Sequence, residues 1–315
     1  MSRVSIIVPV FNTGKKIEKC LESLINQTEK DIEIVIINDG STDDSEQIIK
    51  KYVEKYGEYI KYYSKKNEGV AKTRNFGIEK ATSEYVFFVD SDDYIDKNTI
   101  KKLKPYIEED IDIIKFKLQR VNEQNKILEK VDGPVFDKIS GQDAFDKLFS
   151  EDVLIDSPCV YIMKKKLFTE NNFKFKGTYH EDFGLIPLIL LKAKSFVSLP
   201  DYLYYYVQAD NSITRNNDYV KTLKRVDDVI KHYDNAIIEI DRMQLNKKTR
   251  ENAKIYYTNA LILKMYELKE EDKNKYLNEL KKRKLYKNIK VRNLKQLMKK
   301  TILKYDINFY LKMRR

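Results

Sequence analysis

A chain of 315 residues with 42% apolar content is long enough for one large domain or two modest ones, which excludes a disordered chain and a disulfide-stapled miniprotein. Its net charge of +11 is uneven: residues 281–315 hold fourteen Lys or Arg against one acidic residue, a net +13, so everything before them stands at −2. Polyanion or membrane contacts are therefore expected of the tail alone, and chemistry upstream of it.

In chain order, "VSIIVPVFN" (4–12) reads as a strand, broken at Pro9 and without the small-residue cleavage site of a signal peptide. "TGKKIEKCLESLINQ" places Ile17, Cys20, Leu21, Leu24 and Ile25 at helical spacing. "IEIVIIND" is a second strand, and "GSTDDSEQIIKKYVEKY" a polar cap followed by a helix. The strand "YIKYYS", the helix "VAKTRNFGIEKA" and the strand "YVFFV" continue the alternation. Near-continuous apolar strands alternating with helices predict an α/β fold with a largely parallel sheet covered on both faces. After "DIIKF" the alternation weakens: "VYIMKKKLFTENNF" and "SFVSLPDYLYYYVQ" read as strands around a helix "DFGLIPLILLKA" opened by Asp182. Beyond Asn217 the pattern is helical, which sets expected domains of 1–215 and 216–315. Cys20 and Cys159 lie in apolar surroundings and read as buried thiols of a reducing compartment. No segment has the ~20 apolar residues that span a bilayer.

Ligands bind outside the carboxyl ends of strands in such a sheet, and Asn12, Asp39 and Asp90 fall at such ends. "YVFFVDSDDYID" crowds Asp90, Asp92 and Asp93 together, which costs free energy unless a divalent metal, a basic side chain or solvent offsets the charge. Neither a Gly-x-Gly-x-x-Gly turn nor a phosphate loop follows the first strand.

Taken in order, "SIIVPVFN", "IVIINDGSTDDS", "NEGVAKTRNFG", "YVFFVDSDDYI" and "HEDF" resemble the family 2 glycosyltransferases, and they cover residues 4–183. The resemblance implies a GT-A fold, with a mostly parallel Rossmann-like sheet, a mixed acceptor-side region and then the helical C-terminal region. It also implies an inverting transfer from a UDP-sugar to a hydroxyl of a glycan or lipid-linked saccharide, assisted by Mn2+ or Mg2+. By that resemblance Asp92 is the best metal ligand, Asp93 is a second metal residue that either binds directly or supports from behind, and Asp90 and Ser91 face the donor. Asp39 meets the uracil ring, Pro9, Phe11 and Asn12 shape the base pocket, and Gly69 and Arg74 lie beside the donor. Asp182 matches the general base, with Glu181 holding the acceptor. His180 stands where relatives commonly carry a small residue, often Gly, and is taken as an acceptor-side wall. Tyr206 and Ser212 fall in the stretch that closes the donor site. The absence of tryptophan and of a Gln-x-x-Arg-Trp motif points to a non-processive enzyme.

The tail is outside the resemblance. Leu294, Leu297, Met298, Ile302, Tyr305 and Phe309 can line one helical face flanked by lysines, a pattern suited to an anionic membrane surface. Packing on the protein or a homo-oligomer contact is the competing use, and nucleic acid is disfavoured. The expected location is the cytoplasm, peripheral on the inner face of the membrane. The rival readings are a sugar nucleotidyltransferase of similar sheet architecture and a nucleic-acid binder acting through the tail.

Overall fold

The computed structural model describes residues 3–153, 155–208, 218–289, 294–307 and 309; Ser212 and part of the basic tail lie outside them. Two compact units divide the chain, Met1–Arg215 and Asn216–Arg315.

The first unit opens with strand β1 (Val4–Val10), helix α1 (Lys16–Ile25), β2 (Ile32–Asn38), α2 (Ser45–Tyr56), β3 (Ile60–Ser64), α3 (Val70–Lys80) and β4 (Tyr85–Phe88). It continues through β5 (Tyr94–Ile95), α4 (Thr99–Glu108), β6 (Ile113–Asn122), the outer strands β7 (Ile127–Val131) and β8 (Phe136–Ile139), and α5 (Gly141–Ser150). A 3-10 turn (Pro158–Val160), β9 (Tyr161–Lys164), the short α6 (Lys166–Thr169), α7 (Ile186–Lys192) and the long β10 (Phe196–Gln208) complete it.

The sheet runs β3-β2-β1-β4-β9-β6-β10-β5, with β7 on β6 and β8 on β10. Pairs β3–β2, β2–β1, β1–β4 and β6–β10 are parallel, whereas β9 is antiparallel to both β4 and β6. This is the expected GT-A layout, parallel first and mixed afterwards. Every residue of β1, β2 and β4 is buried, which is why these strands carry no polar alternation. Each large apolar side chain withdrawn there contributes about 1.5–3 kcal/mol. Because β2 and β3 lie to one side of β1 and β4 to the other, the strand order reverses between β1 and β4. That reversal opens a crevice at their carboxyl ends. Helix α3 lies close against β1: a Cβ on Gly77 would come within 2.3 Å of the Ile7 side chain. Only glycine permits that approach, and it sets the depth at which the neighbouring turn, Arg74 included, is buried.

Two local expectations change. The helix expected from Asp182 begins at Ile186, so Asp182 sits in the turn before it, its carbonyl accepting from the amides of Leu185 (3.0 Å) and Ile186 (2.8 Å). The segment 160–173 holds one short strand and then the turn of helix α6, whose Phe168 packs on Phe88 and Phe175.

The second unit is helical: α8 (Tyr219–Arg242), α9 (Lys247–Met265), α10 (Glu270–Lys282), a 3-10 turn (Leu285–Asn288) and α11 (Leu294–Tyr305). Asp218 caps α8 and Asn246 caps α9, each side chain accepting a backbone N–H of the first turn. Among the described residues no helix is long and apolar enough to cross a membrane. Along and just past α11 the apolar side chains divide: Leu303 and Ile307 are buried, whereas Leu297, Met298, Tyr305 and Phe309 are exposed.

Candidate active site

The crevice is walled by loops following β1, β2 and β4, stitched to one another by side chains. Asn12, in the left-handed region at φ 50°, donates its amide to Ser41 Oγ (3.1 Å) and accepts the Thr42 amide at its Oδ1 (2.8 Å). The Thr13 and Ser91 hydroxyls meet at 2.7 Å, tying the β1 loop to the acidic turn. Pro9 is buried in β1, whereas Phe11 stands half-exposed at the rim.

Asp39, at the end of β2, is buried and clasps the segment that leads into α3. Its Oδ1 accepts the Glu68 amide (3.0 Å) and the Lys65 ammonium, and its Oδ2 accepts the Gly69 amide (2.8 Å). Gly69 stands at φ 89°, which a side chain tolerates poorly, immediately before the first turn of α3. Asp39 thus anchors the loop that opens α3 at the mouth of the crevice.

The acidic turn after β4 spends its carboxylates unequally. Asp93 is buried, accepting from the Tyr204 hydroxyl (2.7 Å) and the Val207 amide (2.7 Å), both on β10. Tyr204 also accepts the Asp90 amide (3.2 Å). One hydroxyl therefore holds both ends of the turn. Asp90 is held on Oδ1 by Arg74 (3.0 Å) and on Oδ2 by the Cys159 thiol (3.4 Å). Burial, with Asp90 and Asp92 beside it, raises the pKa of Asp93 well above the ordinary carboxylate value. Asp92 is open to solvent on one side and crowded on the other; that enclosure, with Asp90 beside it, raises its pKa as well. Among the described residues, no group of three or more His, Cys, Asp or Glu side chains is gathered to hold a metal ion.

Arg74 joins this turn to the second chemical segment. Its guanidinium is buried and bridges Asp90 and Glu181, residues 16 and 107 positions away, with Phe175 across from it at 5.6 Å. Burial works against its charge, and the two carboxylates more than offset that, so its pKa is raised and it stays protonated. Beyond Glu181, Asp182 accepts the Phe183 amide at 2.7 Å. Burial, then the charges of Glu181 and Asp156, push its pKa up to about 7 against the opposing pull of Arg74. A carboxylate poised there is suited to taking a proton near neutrality. His180 stands at φ 56°. A left-handed backbone is one that a side chain adopts at some cost, so the turn before Glu181 is locally strained.

The structure thus brings Arg74, Asp90, Glu181 and Asp182 into one charged cluster, with Asp39 and Gly69 on its loop wall. Tyr206 is on β10 with 36% of its surface exposed. Three contributors were not anticipated: Cys159 as a donor to Asp90, Tyr204 beneath the acidic turn, and Asp156 as a charge beside Asp182. Only the aromatic run "YLYYYV" after the acidic cluster carried any signal for Tyr204. Tyr204→Phe should cost about 1–3 kcal/mol, the penalty of leaving Asp93 and the Asp90 amide without their shared partner. Urea unfolding checks this, and a loss well under ~0.5 kcal/mol would show that the hydroxyl is not holding the turn.

Residues 5–171 match the sequence profile described as Glycosyl transferase family 2. Glycosyltransferase GlyG of Streptococcus pneumoniae is 30% identical over 228 residues, covering 67% of this chain and 73% of that protein. Poly(ribitol-phosphate) beta-N-acetylglucosaminyltransferase TarP of Staphylococcus aureus is 29% identical over 240 residues, covering 72% and 71%. Other relatives are longer, and of two of them the matched region spans only 21% and 32%. The crystal structure of S. aureus TarS 1–349 in complex with UDP-GlcNAc superposes with a TM-score of 0.69 at 22% identity, over 92% of this chain and 82% of that one, a likeness of fold.

Proposed function

The chain belongs to glycosyl transferase family 2, and from that premise we propose that it moves one sugar from a UDP-sugar to a hydroxyl of a glycan or lipid-linked saccharide, with inversion. The observation that carries this reading is the buried Arg74, which ties the acidic turn on the donor side to the Glu181-Asp182 pair on the acceptor side. In this reading Asp39 Oδ2, which accepts one hydrogen bond from Gly69, keeps a lone pair for the N3–H of uracil. Pro9, Phe11 and Asn12 line the base, Gly69 and Arg74 border the diphosphate, and Asp90 and Ser91 face the ribose. Glu181 and His180 wall the acceptor. Asp182 takes the proton from the acceptor hydroxyl, whose oxygen attacks the anomeric carbon opposite the departing UDP. TarS holds UDP-GlcNAc and TarP is named for a poly(ribitol-phosphate) acceptor, which supports a UDP-sugar and a surface-polymer acceptor.

A divalent cation fits the acidic turn in a restricted way. Asp90 and Asp93 are engaged by Arg74, Cys159, Tyr204 and Val207, which leaves Asp92 as the open carboxylate. Mg2+ is commonly held by one or two carboxylates plus substrate phosphates, so Asp92 with the donor's own oxygens is the site to expect, Asp93 serving as the brace behind it. When bound, Mn2+ or Mg2+ offsets the charge that develops on the leaving diphosphate. The place of action in this reading is the inner face of the cell membrane, where a lipid-linked acceptor is met.

A panel of nucleoside diphosphate sugars, with Mn2+ or Mg2+ and with EDTA as control, tests the reading by thermal stabilisation and donor hydrolysis. One UDP-sugar is expected to respond and EDTA to remove the response. A response to another nucleotide alone would overturn the donor assignment. Asp92→Ala should weaken metal-dependent UDP binding by calorimetry about tenfold or more while leaving the metal-free component in place. Unchanged metal dependence would move the ion elsewhere.

A further inference from the structure

We infer that α11 and the cavity beside it form a docking surface for an anionic phospholipid bilayer. The inference deepens the membrane placement proposed above and rests on it for its location. Two independent features of the second unit converge on this surface.

The first is the exposed stripe on α11. At about 100° per residue, Leu297, Met298 and Tyr305 fall within about a third of the helix circumference, while Leu303 occupies the opposite side. Leu297 is 47% exposed, Met298 54% and Tyr305 72%, whereas Leu303 is 4% exposed. The helix is therefore seated by one apolar stripe and presents a second one outward. Lys300 and Lys304 lie on the wheel between the two, at the border of the exposed stripe.

The second is a cavity of about 440 Å³ where α9, the 285–288 turn and α11 meet, lined by Arg250, Lys254, Lys287 and Lys300 with a single acidic residue, Glu251. Arg250 is committed to the carbonyls of Ile240 and Met243 (both 2.7 Å) and Lys254 to Asp241 (2.6 Å). Among the described residues no carboxylate is ion-paired with Lys287 or Lys300. Two cations with no ion pair among the described residues, in a concave site, suit a phosphodiester head group, and Lys300 places that site at the rim of the apolar stripe.

Charge complementarity selects the occupant. Residues 281–315 carry +13, so a second copy laid stripe to stripe would bring like charges together. A soluble polyanion would use the lysines and leave Leu297, Met298 and Tyr305 in water. An anionic leaflet uses both, since apolar side chains enter the acyl boundary while cations meet the head groups.

The test is co-sedimentation of the full-length chain with phosphatidylglycerol-containing vesicles and with pure phosphatidylcholine vesicles. Binding to the anionic vesicles alone is expected. Lys287→Gln with Lys300→Gln should weaken it about 25-fold, two charges at about fivefold each. Leu297→Ser with Tyr305→Ser should weaken it at least about tenfold, through lost apolar burial. All these positions are on the surface, and unchanged melting temperature and donor hydrolysis would show that the variants are folded. Equal binding to neutral vesicles, or none to either, overturns the inference. So does loss with the lysine pair alone, which would mark a soluble polyanion site, or a wild-type dimer that the apolar variant dissociates without any vesicle binding. No sugar donor is present in the assay, so failure here leaves the transferase reading standing, and failure of transfer leaves vesicle binding intact.

Discussion

Asp182→Asn is expected to lower the rate of sugar transfer by about a hundredfold to ten-thousandfold, the usual contribution of a positioned base, with donor affinity nearly unchanged. The amide preserves shape but cannot take the acceptor proton. In the wild type the rate should rise with pH through about 7 and level off above it, as the group ionises. The same substitution should stabilise the fold. Burial and the charges of Glu181 and Asp156 raise the pKa of Asp182 in the folded chain, so between the ordinary aspartate value and about 7 the folded state keeps a proton that the unfolded state has lost. The stability associated with that proton is complete at acid pH and is lost as pH rises through about 7. The advantage of Asn over Asp should therefore open across that interval and be full above it, visible as a higher Tm at pH 8 and equal Tm values at acid pH. A variant that kept most of its transfer rate would remove Asp182 from the role of base.

Arg74→Met should cost about 3–5 kcal/mol of stability and nearly all transfer. The change leaves Glu181 buried and Asp90 half-buried without the cation that compensates both. Arg74→Lys should be intermediate, because one ammonium cannot reproduce a planar guanidinium that donates to two carboxylates from two different nitrogens. Urea denaturation of the three proteins, with UDP binding on those that fold, checks this order. A Met variant within ~1 kcal/mol of the wild type would show that the carboxylates find other partners or protonate at little cost.

How much of this was legible beforehand varied with the range of the interaction. Strands β1, β2 and β4 are buried on both faces, so their apolar runs announced them, and the residues at their ends followed. β7 is exposed over four of its five residues and carries no apolar rhythm, so nothing marked it as a strand. The resemblance places Arg74 beside the donor. That its partners would be Asp90 and Glu181 depends on α3 settling against β1 at Gly77, a packing event that no local pattern encodes. The resemblance ranks Asp92 ahead of Asp93 as a ligand but leaves open whether Asp93 binds directly or supports; β10 decides this by occupying both Asp93 oxygens. The tail helix was legible in part: Leu297, Met298, Tyr305 and Phe309, expected on one face, share their exposure, whereas the burial of Leu303 and Ile307 was not foreseen. It holds enough apolar residues for two faces, and composition does not say which is seated and which is left out.

The long reach of β10 bears on how the molecule is made. It pairs with β6 in parallel and with β5 in antiparallel fashion, and its Tyr204 supports a turn that was synthesised more than a hundred residues earlier. A nascent chain halted before Phe196 contains every carboxylate of the candidate site and lacks the strand that organises the first of them. Until that strand arrives the acidic turn has neither its hydroxyl support nor its ladder partner, so ribosome-bound fragments should be inactive and readily cleaved near residue 92 by proteases. Competence then comes late and all at once, with the docking of a single strand.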